Sequence, residues 1–311
     1  MLSNVETTSQ RGPIGLDEAI WSGRNPNVAD RRQAFVVGVD FSGPSHRALA
    51  RAVDVARMHD GKLHILHATP PVTAAVDGLL RENETLERAG DELERLAARV
   101  SATGLLARPH LTIGSVTRSL KSVALELRAA LIVVGVRRRV LPDALIGSTA
   151  ERVAAATDKP VLVVRQAVRR PYRHLVLMVD PSSEPGKLVT AGRLAAPSAK
   201  RSVLHAYEDP YEAGLLLDGA SHASLRAHRR KAREEARDRL LGIVASAGLD
   251  PDEVILHPGN PWRVLELAER EQRGNDTLFV VGRERSRIGE VLFGSVCRWL
   301  LSRGECDLLI V

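Results

Sequence analysis

Short apolar segments alternate with amphipathic segments along the first half of the chain, and the same alternation returns in the second half. The first-half apolar runs lie near residues 34–40, 62–69, 107–113, 131–135 and 160–164. Between them, apolar residues recur every three to four positions, which predicts helices. Uninterrupted runs such as LIVVG and PVLVV are typical of strands buried on both faces of a parallel sheet. The pattern therefore predicts βαβ units in a three-layer α/β/α fold with right-handed crossovers.

Related segments follow one another in the same order in the two halves, which indicates an internal duplication. FVVGVDFS at 35–42 corresponds to LVLMVDPSS at 175–183, and both are apolar strands that contain Val-Asp at their end. Farther along, LHILHATPP at 63–71 corresponds to RSVLHAYEDP at 201–210. The later segments LIVVGVRRRVLPDALIGST and LFVVGRERSRIGEVLFGSV each place two glycines twelve positions apart. We therefore predict two copies of one domain.

The repeat also predicts the domain boundaries in this chain of 311 residues. We assign the first domain to 32–165, a linker to 166–171 and the second domain to 172–311. Residues 1–31 have no counterpart in the second half and are rich in polar residues, Gly and Pro, so we predict a disordered arm there. The linker is short, and we expect the two domains to dock against each other.

Composition places the chain among ordinary globular proteins. Hydrophobic residues make up 44% and charged residues 26% of the chain, and no apolar run approaches the length of a membrane span. The first residues lack the order of a signal peptide, and Cys297 and Cys306 form neither a C-x-x-C pair nor a disulfide framework. We therefore expect a protein of the cytoplasm, with no membrane partner.

The net charge of +6 is compatible with nucleic acid, anionic lipid or phosphorylated ligands. Much of this charge lies in RAHRRKAREEARDRL at 226–240, where acids in the second part predict a solvated helix with i,i+4 ion pairs. No acid lies between Arg226 and Arg233, so a nucleic-acid surface stays open as an alternative. The aromatic content of 3% argues against a surface that stacks bases, and nucleic-acid binding is not the favoured prediction.

No motif of catalysis or metal binding is complete in the sequence. There is no H-E-x-x-H motif, G-x-S-x-G elbow or Walker motif. Ser42 and Ser148 lie near the expected ligand crevice, but no histidine is placed by sequence to activate them. His64 and His67 are three apart in a predicted strand, and this spacing sends them to opposite faces. We predict no catalytic residue and no metal site.

A ligand crevice is predicted at the carboxyl ends of the strands, where the strand order reverses in an open parallel sheet. Asp40 and Gly135 end the first and fourth strands of the first half, and Asp180 and Gly282 do so in the second half. The helices that follow offer backbone N–H groups and a positive dipole end to an anion. They open at Gly147, Ser148 and Thr149 in the first half and at Gly294 and Ser295 in the second.

The order of motifs in each half resembles that of the universal stress protein family in its tandem form. These motifs are Val-Asp-x-Ser, then L-x-V-V-G, a loop, G-[ST] and a closing PVLVV. The resemblance covers 32–165 and 172–311. It implies a flavodoxin-like fold for each domain, with a five-stranded parallel sheet of order 3-2-1-4-5. It also implies that the fifth strands of the two domains pair within the chain as a pseudo-dimer, which covers an apolar edge. A homodimer through the outer helices stays open.

Many members of that family bind ATP through a motif G-x2-G-x9-G-[ST], and the Asp that ends the first strand contacts the nucleoside. Asp40, Gly135, Gly147 and Ser148 match these positions in the first domain. Their counterparts in the second domain are Asp180, Gly282, Gly294 and Ser295.

The second glycine of the motif is replaced in both domains, and each loop is one residue short. Arg138 and Arg285 stand there, and an arginine brings a Cβ and a long side chain into space that glycine leaves open. Arginine is also a good bidentate phosphate donor. Positive charge beside the helix start is increased by four further arginines, Arg137, Arg139, Arg283 and Arg287. An anion site with altered selectivity is therefore a possible alternative.

The favoured hypothesis is a non-catalytic binding or regulatory module of the bacterial stress response, with a degenerate phosphate loop in both domains. The alternative is an ATP-binding member with slow ATPase or nucleotide hydrolase activity at the Asp40 and Asp180 crevices. A third interpretation is that the glycines only shape strand-to-helix turns. In the first two hypotheses, the ligand is ATP or another small anion.

Overall fold

The fold is described from a computed structural model. It describes residues 32–70, 76–136, 149–180, 184–209, 211–271, 276–285 and 291–311. The predicted arm at 1–31 lies outside the described residues.

Five strands and four helices alternate through the described part of the first half. In chain order they are β1 Ala34–Gly38, α1 Gly43–Met58, β2 Lys62–Thr69, α2 Val76–Ser101, β3 Leu106–Ile113, α3 Val116–Glu126, β4 Leu131–Gly135, α4 Thr149–Ala156 and β5 Val161–Val164. Each of the five strands lies on one of the predicted apolar runs.

The second half repeats this alternation and adds short elements. Its elements are β6 His174–Met178, α5 Pro185–Ala195, β7 Lys200–Tyr207, α6 Glu212–Leu217, α7 His222–Ser246, a 3-10 turn Pro251–Glu253, β8 Val254–Pro258, α8 Pro261–Glu271, β9 Thr277–Val281, β10 Glu284–Arg285, β11 Val291–Leu292, α9 Ser295–Arg303 and β12 Asp307–Ile310. Strands β10 and β11 form a separate antiparallel ribbon in the loop that follows β9.

One continuous sheet of ten strands runs through both domains. Its order is β3-β2-β1-β4-β5-β12-β9-β6-β7-β8, so each half contributes parallel strands in the order 3-2-1-4-5. The halves join where β5 and β12 pair antiparallel, with Val163 opposite Leu308. The predicted α/β fold class is confirmed, and the fifth strands pair within the chain, which removes two exposed sheet edges.

Apolar layers cover both faces of this sheet. Successive strand residues point to opposite faces, so Phe35 belongs to one layer and Val36 to the other. Both layers continue from the first half into the second, as Leu278 and Phe279 show in β9. Burial on both faces explains why the central strands consist of uninterrupted apolar residues.

Arg165 fastens the first domain to the second just after β5. Its Nη1 donates to the carbonyl of Cys306 at 2.8 Å, and its Nη2 donates to the carbonyls of Leu300 and Leu301 at 2.9 and 3.1 Å. Leu300 and Leu301 lie near the end of α9, where the Leu300 carbonyl also accepts the Gly304 N–H at 3.0 Å. A guanidinium from one domain thus caps a helix of the other.

Arg283 makes the reciprocal contact from the second domain. Its guanidinium donates to the carbonyls of Thr157 and Lys159, which lie between α4 and β5 of the first domain. Lys159 and Cys306 occupy equivalent positions in the repeat, so equivalent carbonyls accept these two arginines. Each domain therefore holds the turn that precedes the last strand of the other.

Asp307, at the start of β12, is the centre of a buried polar network between the domains. Its Oδ1 accepts the backbone N–H groups of Arg165 at 2.7 Å and Gln166 at 3.0 Å, and its Oδ2 accepts the Tyr172 hydroxyl at 2.6 Å. The Arg51 guanidinium lies 3.8 Å from the centroid of the Tyr172 ring. Burial, then the Asp307 charge, raises the pKa of Tyr172 well above its usual value. The phenol is therefore a permanent donor to Asp307.

Candidate functional site

Asp40 lies exposed at the end of the first strand of the first domain. Its Oδ1 accepts the backbone N–H of Ser42 at 3.1 Å and the Ser42 hydroxyl at 2.5 Å. Partial burial acts to raise the pKa of Asp40, but the hydrogen bonds from Ser42 and Ser45 together outweigh it, and the pKa is lowered. The carboxylate is thus ionised at neutral pH and is held by the turn that leads into α1.

Gly135, at the end of β4, is packed directly against the first turn of α1. A Cβ at this position would lie 2.2 Å from the Pro44 carbonyl oxygen and 2.9 Å from the Ser45 nitrogen. Any side chain here would displace backbone atoms. The backbone contact alone therefore requires glycine, and the first turn of α1 occupies the space beside Gly135.

The remaining first-domain candidates are only partly described. Thr149 lies exposed at the start of α4, and its Oγ1 accepts from Arg152 Nη2 at 3.4 Å. Arg138, Gly147 and Ser148 lie outside the described residues, so the phosphate loop of this domain stays a prediction.

In the second domain, four of the predicted residues line one cavity of about 1560 Å³. Asp180 lies at the end of the first strand, Gly282 just after β9, and Gly294 and Ser295 at the start of α9. The structure therefore brings these four residues together, as the strand-order rule predicts. Arg285 lies in β10, opposite Val291, and its side chain is outside the described atoms.

Gly282 differs from its counterpart Gly135 in what surrounds it. Among the described residues, a Cβ at Gly282 would meet only Leu188 Cδ2, at an ordinary contact distance of 3.8 Å. The position opens into the cavity instead of onto backbone. The two glycines match in sequence, but among the described residues an added Cβ would overlap backbone atoms at Gly135 and not at Gly282.

The start of α9 forms one wall of this cavity. Gly294 is the residue that precedes the helix, and no side chain caps the helix start there. The first amide groups of a helix lack partners within the helix, and its dipole favours an anion at this end. With Ser295 and Val296 also in the lining, this wall has the chemistry to accept a phosphate or carboxylate group.

The first domain contributes to the same cavity. Gln33, His59, Ala130, Asp158 and Pro160 line its far side. His59 is held across the interface, because its Nε2 lies 2.8 Å from the Leu194 carbonyl oxygen. Sequence reasoning missed these residues, since no local pattern marks a residue whose partner is in the other domain.

Arg283 has a structural contact in addition to the charge that was expected of it. It lines the cavity, and its guanidinium donates to the first-domain carbonyls of Thr157 and Lys159. These hydrogen bonds hold the two domains together. That its charge also serves the phosphate loop stays a prediction.

Two equivalent histidines tie neighbouring strand ends beside the crevices. His67 Nδ1 lies 2.8 Å from the Val39 carbonyl oxygen, and His205 Nδ1 lies 2.9 Å from the Val179 carbonyl oxygen. Each contact holds the strand that ends at Asp40 or Asp180. The repeated Leu-His-Ala segment thus has a structural role next to the candidate ligand residues.

His64 forms a separate pair with His110, away from the crevice residues. His64 Nδ1 lies 2.7 Å from His110 Nε2. Burial, then repulsion from His110, Lys62 and Arg108, lowers the pKa of His64 to about 3. Burial and Arg108 lower the pKa of His110 to about 4. Within the described ranges, no three metal-ligand side chains come together, and no helix has the length and apolarity to cross a membrane.

Comparison with known proteins gives a consistent result. The model of the universal stress protein family matches residues 32–165 and 171–311. A universal stress protein of Mycobacterium tuberculosis, Rv1996, is 24% identical over 89% of this chain and 94% of its own length. A universal stress protein structure from Archaeoglobus fulgidus covers 90% of this chain and 98% of its own, with 17% identity and a TM-score of 0.64. A universal stress protein solved in complex with cAMP covers 43% of this chain and 97% of its own at 28% identity, with a TM-score of 0.35.

Because the family model covers most of the chain in two copies, the chain belongs to the universal stress protein family in its tandem form.

Proposed function

We propose that this tandem universal stress protein is a non-catalytic binding and regulatory module of the bacterial stress response, and that its ligand binds in the second-domain cavity. The observation that carries the proposal is the contrast between Gly282, which opens into that cavity, and Gly135, which packs against Pro44. The ligand class is a small anion, with ATP as the first candidate because the family motif is partly retained.

In this proposal each second-domain residue has a defined task. Asp180 accepts hydroxyl groups of the ligand, as the matching Asp does in ATP-binding members. The backbone at Gly282 gives the ligand room to approach, and the N–H groups at Gly294 and Ser295 hold its anionic group. Arg285 follows in the altered loop as a second donor to that group. The equivalent first-domain residues form a weaker site at most.

The non-catalytic part of the proposal is supported by the motifs the chain lacks. The sequence has no Walker motif and no G-x-S-x-G elbow. His205, which lines the cavity, is engaged through Nδ1 with the Val179 carbonyl. The cavity thus contains groups that can bind an anion. The sequence motifs that pair a nucleophile with a base are not among the motifs of this chain. The alternative is slow ATP or nucleotide hydrolysis at the Asp180 crevice.

The experiment that tests the proposal identifies small molecules released from the freshly purified protein by mass spectrometry. We expect a sub-stoichiometric anionic metabolite in the wild type and its loss in Gly282→Val, which adds a side chain where the ligand approaches the backbone of residue 282. Gly242→Val is the matched control, because Gly242 lies in α7 with nothing near its added Cβ. A metabolite retained by Gly282→Val would contradict the assigned cavity.

Phosphate release from added ATP separates the proposal from its alternative. We expect release at the background rate in the wild type. Slow release that disappears in Asp180→Ala and persists in the exposed control Asp238→Ala would instead establish the hydrolase.

A further inference from the structure

Five of the seven Lys and Arg residues of the second-domain helix α7 fall on one side of the helix, whereas Lys231 and Arg239 fall on the other side with the acids, where Lys231 lies 3.8 Å from Glu235. At about 100° per residue, the five arginines on the first side fall within one sector of roughly 100°, which overlaps the buried stripe of the helix. The acids Glu234, Glu235 and Asp238 fall in a separate sector, on the outward and opposite side. All five arginines are exposed; they are Arg226, Arg229, Arg230, Arg233 and Arg237. We call these five residues the arginine face.

Ion pairs at its edge turn the arginine face toward the short helix α6. Arg229 Nε donates to Glu212 Oε1 at 2.9 Å. Beside it, His228 Nε2 lies 2.7 Å from Asp209 Oδ2, in the segment that leads into α6. These contacts fix α6 next to the arginine face.

Helix α6 exposes large apolar side chains beside that charge. Tyr211 is 73% exposed, Leu216 is 54% exposed and Leu217 is 88% exposed, the highest value among the described large apolar residues. Leu216 lies one turn beyond Glu212 and therefore on the same face of α6 as the residue that Arg229 contacts. We call Tyr211, Leu216 and Leu217 the apolar tip. An apolar tip beside a basic face is the composition of an interfacial membrane-binding element.

We propose that the apolar tip and the arginine face together bind the surface of an anionic lipid bilayer. The tip would lie at the boundary between headgroups and acyl chains, where Leu and Tyr side chains leave water. The arginines would meet lipid phosphates, and each basic residue near such a surface adds about 1 kcal/mol of attraction. This proposal departs from the expectation of no membrane partner, and it requires no spanning helix.

Two other occupants fit the surface less well. A nucleic acid would meet the arginines but would offer the exposed leucines no apolar environment. A second copy in a two-fold contact would bring the arginine face against the same face of its partner, with like charges opposed. An anionic bilayer satisfies both the charge and the apolar side chains.

The first domain provides an internal control for this proposal. Its equivalent helix α2 also exposes arginines, but acids on the same helix neutralise them. Arg88 pairs with Glu84 at 3.2 Å, and Arg95 pairs with Glu92 at 3.1 Å. Removing the same number of charges from α2 therefore changes the net charge of the protein equally without altering the arginine face.

The test is co-sedimentation of the full chain with vesicles of phosphatidylcholine alone or with roughly a third phosphatidylglycerol. We expect binding to the anionic vesicles only. The variant Arg226→Gln/Arg230→Gln/Arg233→Gln should lower that binding at least about tenfold. The control variant Arg88→Gln/Arg95→Gln/Arg99→Gln should bind as the wild type does. The changed residues are exposed, and a thermal unfolding curve checks that each variant is folded.

A second variant, Leu216→Ser/Leu217→Ser, tests the apolar tip. We expect it to lose the binding that survives at high salt, because apolar insertion is not screened. The proposal is overturned by three results: no binding to anionic vesicles, an equal loss in the α2 control, or tighter retention on duplex DNA than on vesicles. It is also overturned if the Leu variant turns a dimer into a monomer and leaves vesicle binding unchanged.

Discussion

At the scale of single residues, equivalent glycines of the repeat have different surroundings. Gly135 is in contact with the backbone of Pro44 and Ser45, whereas Gly282 has only Leu188 within reach of an added Cβ. The sequence around both glycines is an apolar strand followed by a basic loop. The packing of α1 against Gly135 and of α5 near Gly282 distinguishes a glycine required for close backbone approach from one that borders a cavity.

We predict that Gly135→Ala and Gly282→Ala differ in stability. Gly135→Ala should lower the free energy of unfolding by about 1–3 kcal/mol, because its Cβ overlaps the Pro44 carbonyl and the backbone must shift. Gly282→Ala should change it by less than about 0.5 kcal/mol. Urea denaturation of both variants measures this difference. Equal effects would contradict the packing described at these two positions.

The His64–His110 pair predicts a loss of stability in mild acid. The folded protein keeps both imidazoles neutral, with pKa values of about 3 and 4, whereas in the unfolded chain they titrate near the ordinary histidine pKa of 6.5. The unfolded state therefore binds more protons below about pH 6.5, and stability falls as the pH falls through this window. At pH 5 the loss is on the order of 2 kcal/mol for each histidine.

Unfolding free energies at pH 8 and pH 5 measure this effect. The double variant His64→Leu/His110→Leu should show a flatter pH dependence than the wild type. The exposed residue His222 provides the control, and His222→Leu should keep the wild-type slope. An unchanged slope in the double variant would show that other groups cause the acid sensitivity.

At the scale of elements, the turn before β12 depends on partners from the other domain. Asp307 is 1% exposed and accepts backbone N–H groups of Arg165 and Gln166 as well as the Tyr172 hydroxyl. We predict that Asp307→Ala lowers the free energy of unfolding by about 3 kcal/mol or more, since it leaves buried donors and Arg51 without this carboxylate. Asp238→Ala, on an exposed helix face, should cost little. Calorimetry of both variants checks this prediction.

The central strands β1, β4, β5 and β9 could be predicted from sequence, because each consists almost entirely of consecutive apolar residues. Asp180 and Gly282 could also be placed at one crevice, because the rule for parallel sheets depends only on strand order. Helix α6 could not be predicted, since its six residues leave Leu216 and Leu217 exposed and form no buried stripe.

The contacts of Arg283 could not be predicted for a different reason. Its carbonyl partner at Thr157 lies 126 residues away in the sequence and in the other domain. A local motif shows only a basic loop, which favours a phosphate ligand. The same limit applies to His59 and Asp158, which reach the second-domain cavity because the domains dock.

At the scale of the whole molecule, the duplication creates one sheet, and the two equivalent glycines Gly135 and Gly282 have different surroundings among the described residues. The β5–β12 pairing and the arginines at its ends fix the domains against each other. The second-domain cavity therefore has a wall from each domain, as His59 and Asp180 illustrate. Equal domains would give two equivalent sites, whereas the surroundings of Gly135 and Gly282 favour a single open one.

Calorimetric titration of the full chain with ATP tests this asymmetry most directly. We expect about one equivalent of ligand per chain, with an affinity that falls at least about tenfold in Gly282→Val and stays unchanged in Gly242→Val. Two equivalents per chain with equal affinity, insensitive to Gly282→Val, would contradict the assignment of the ligand site to the second-domain cavity.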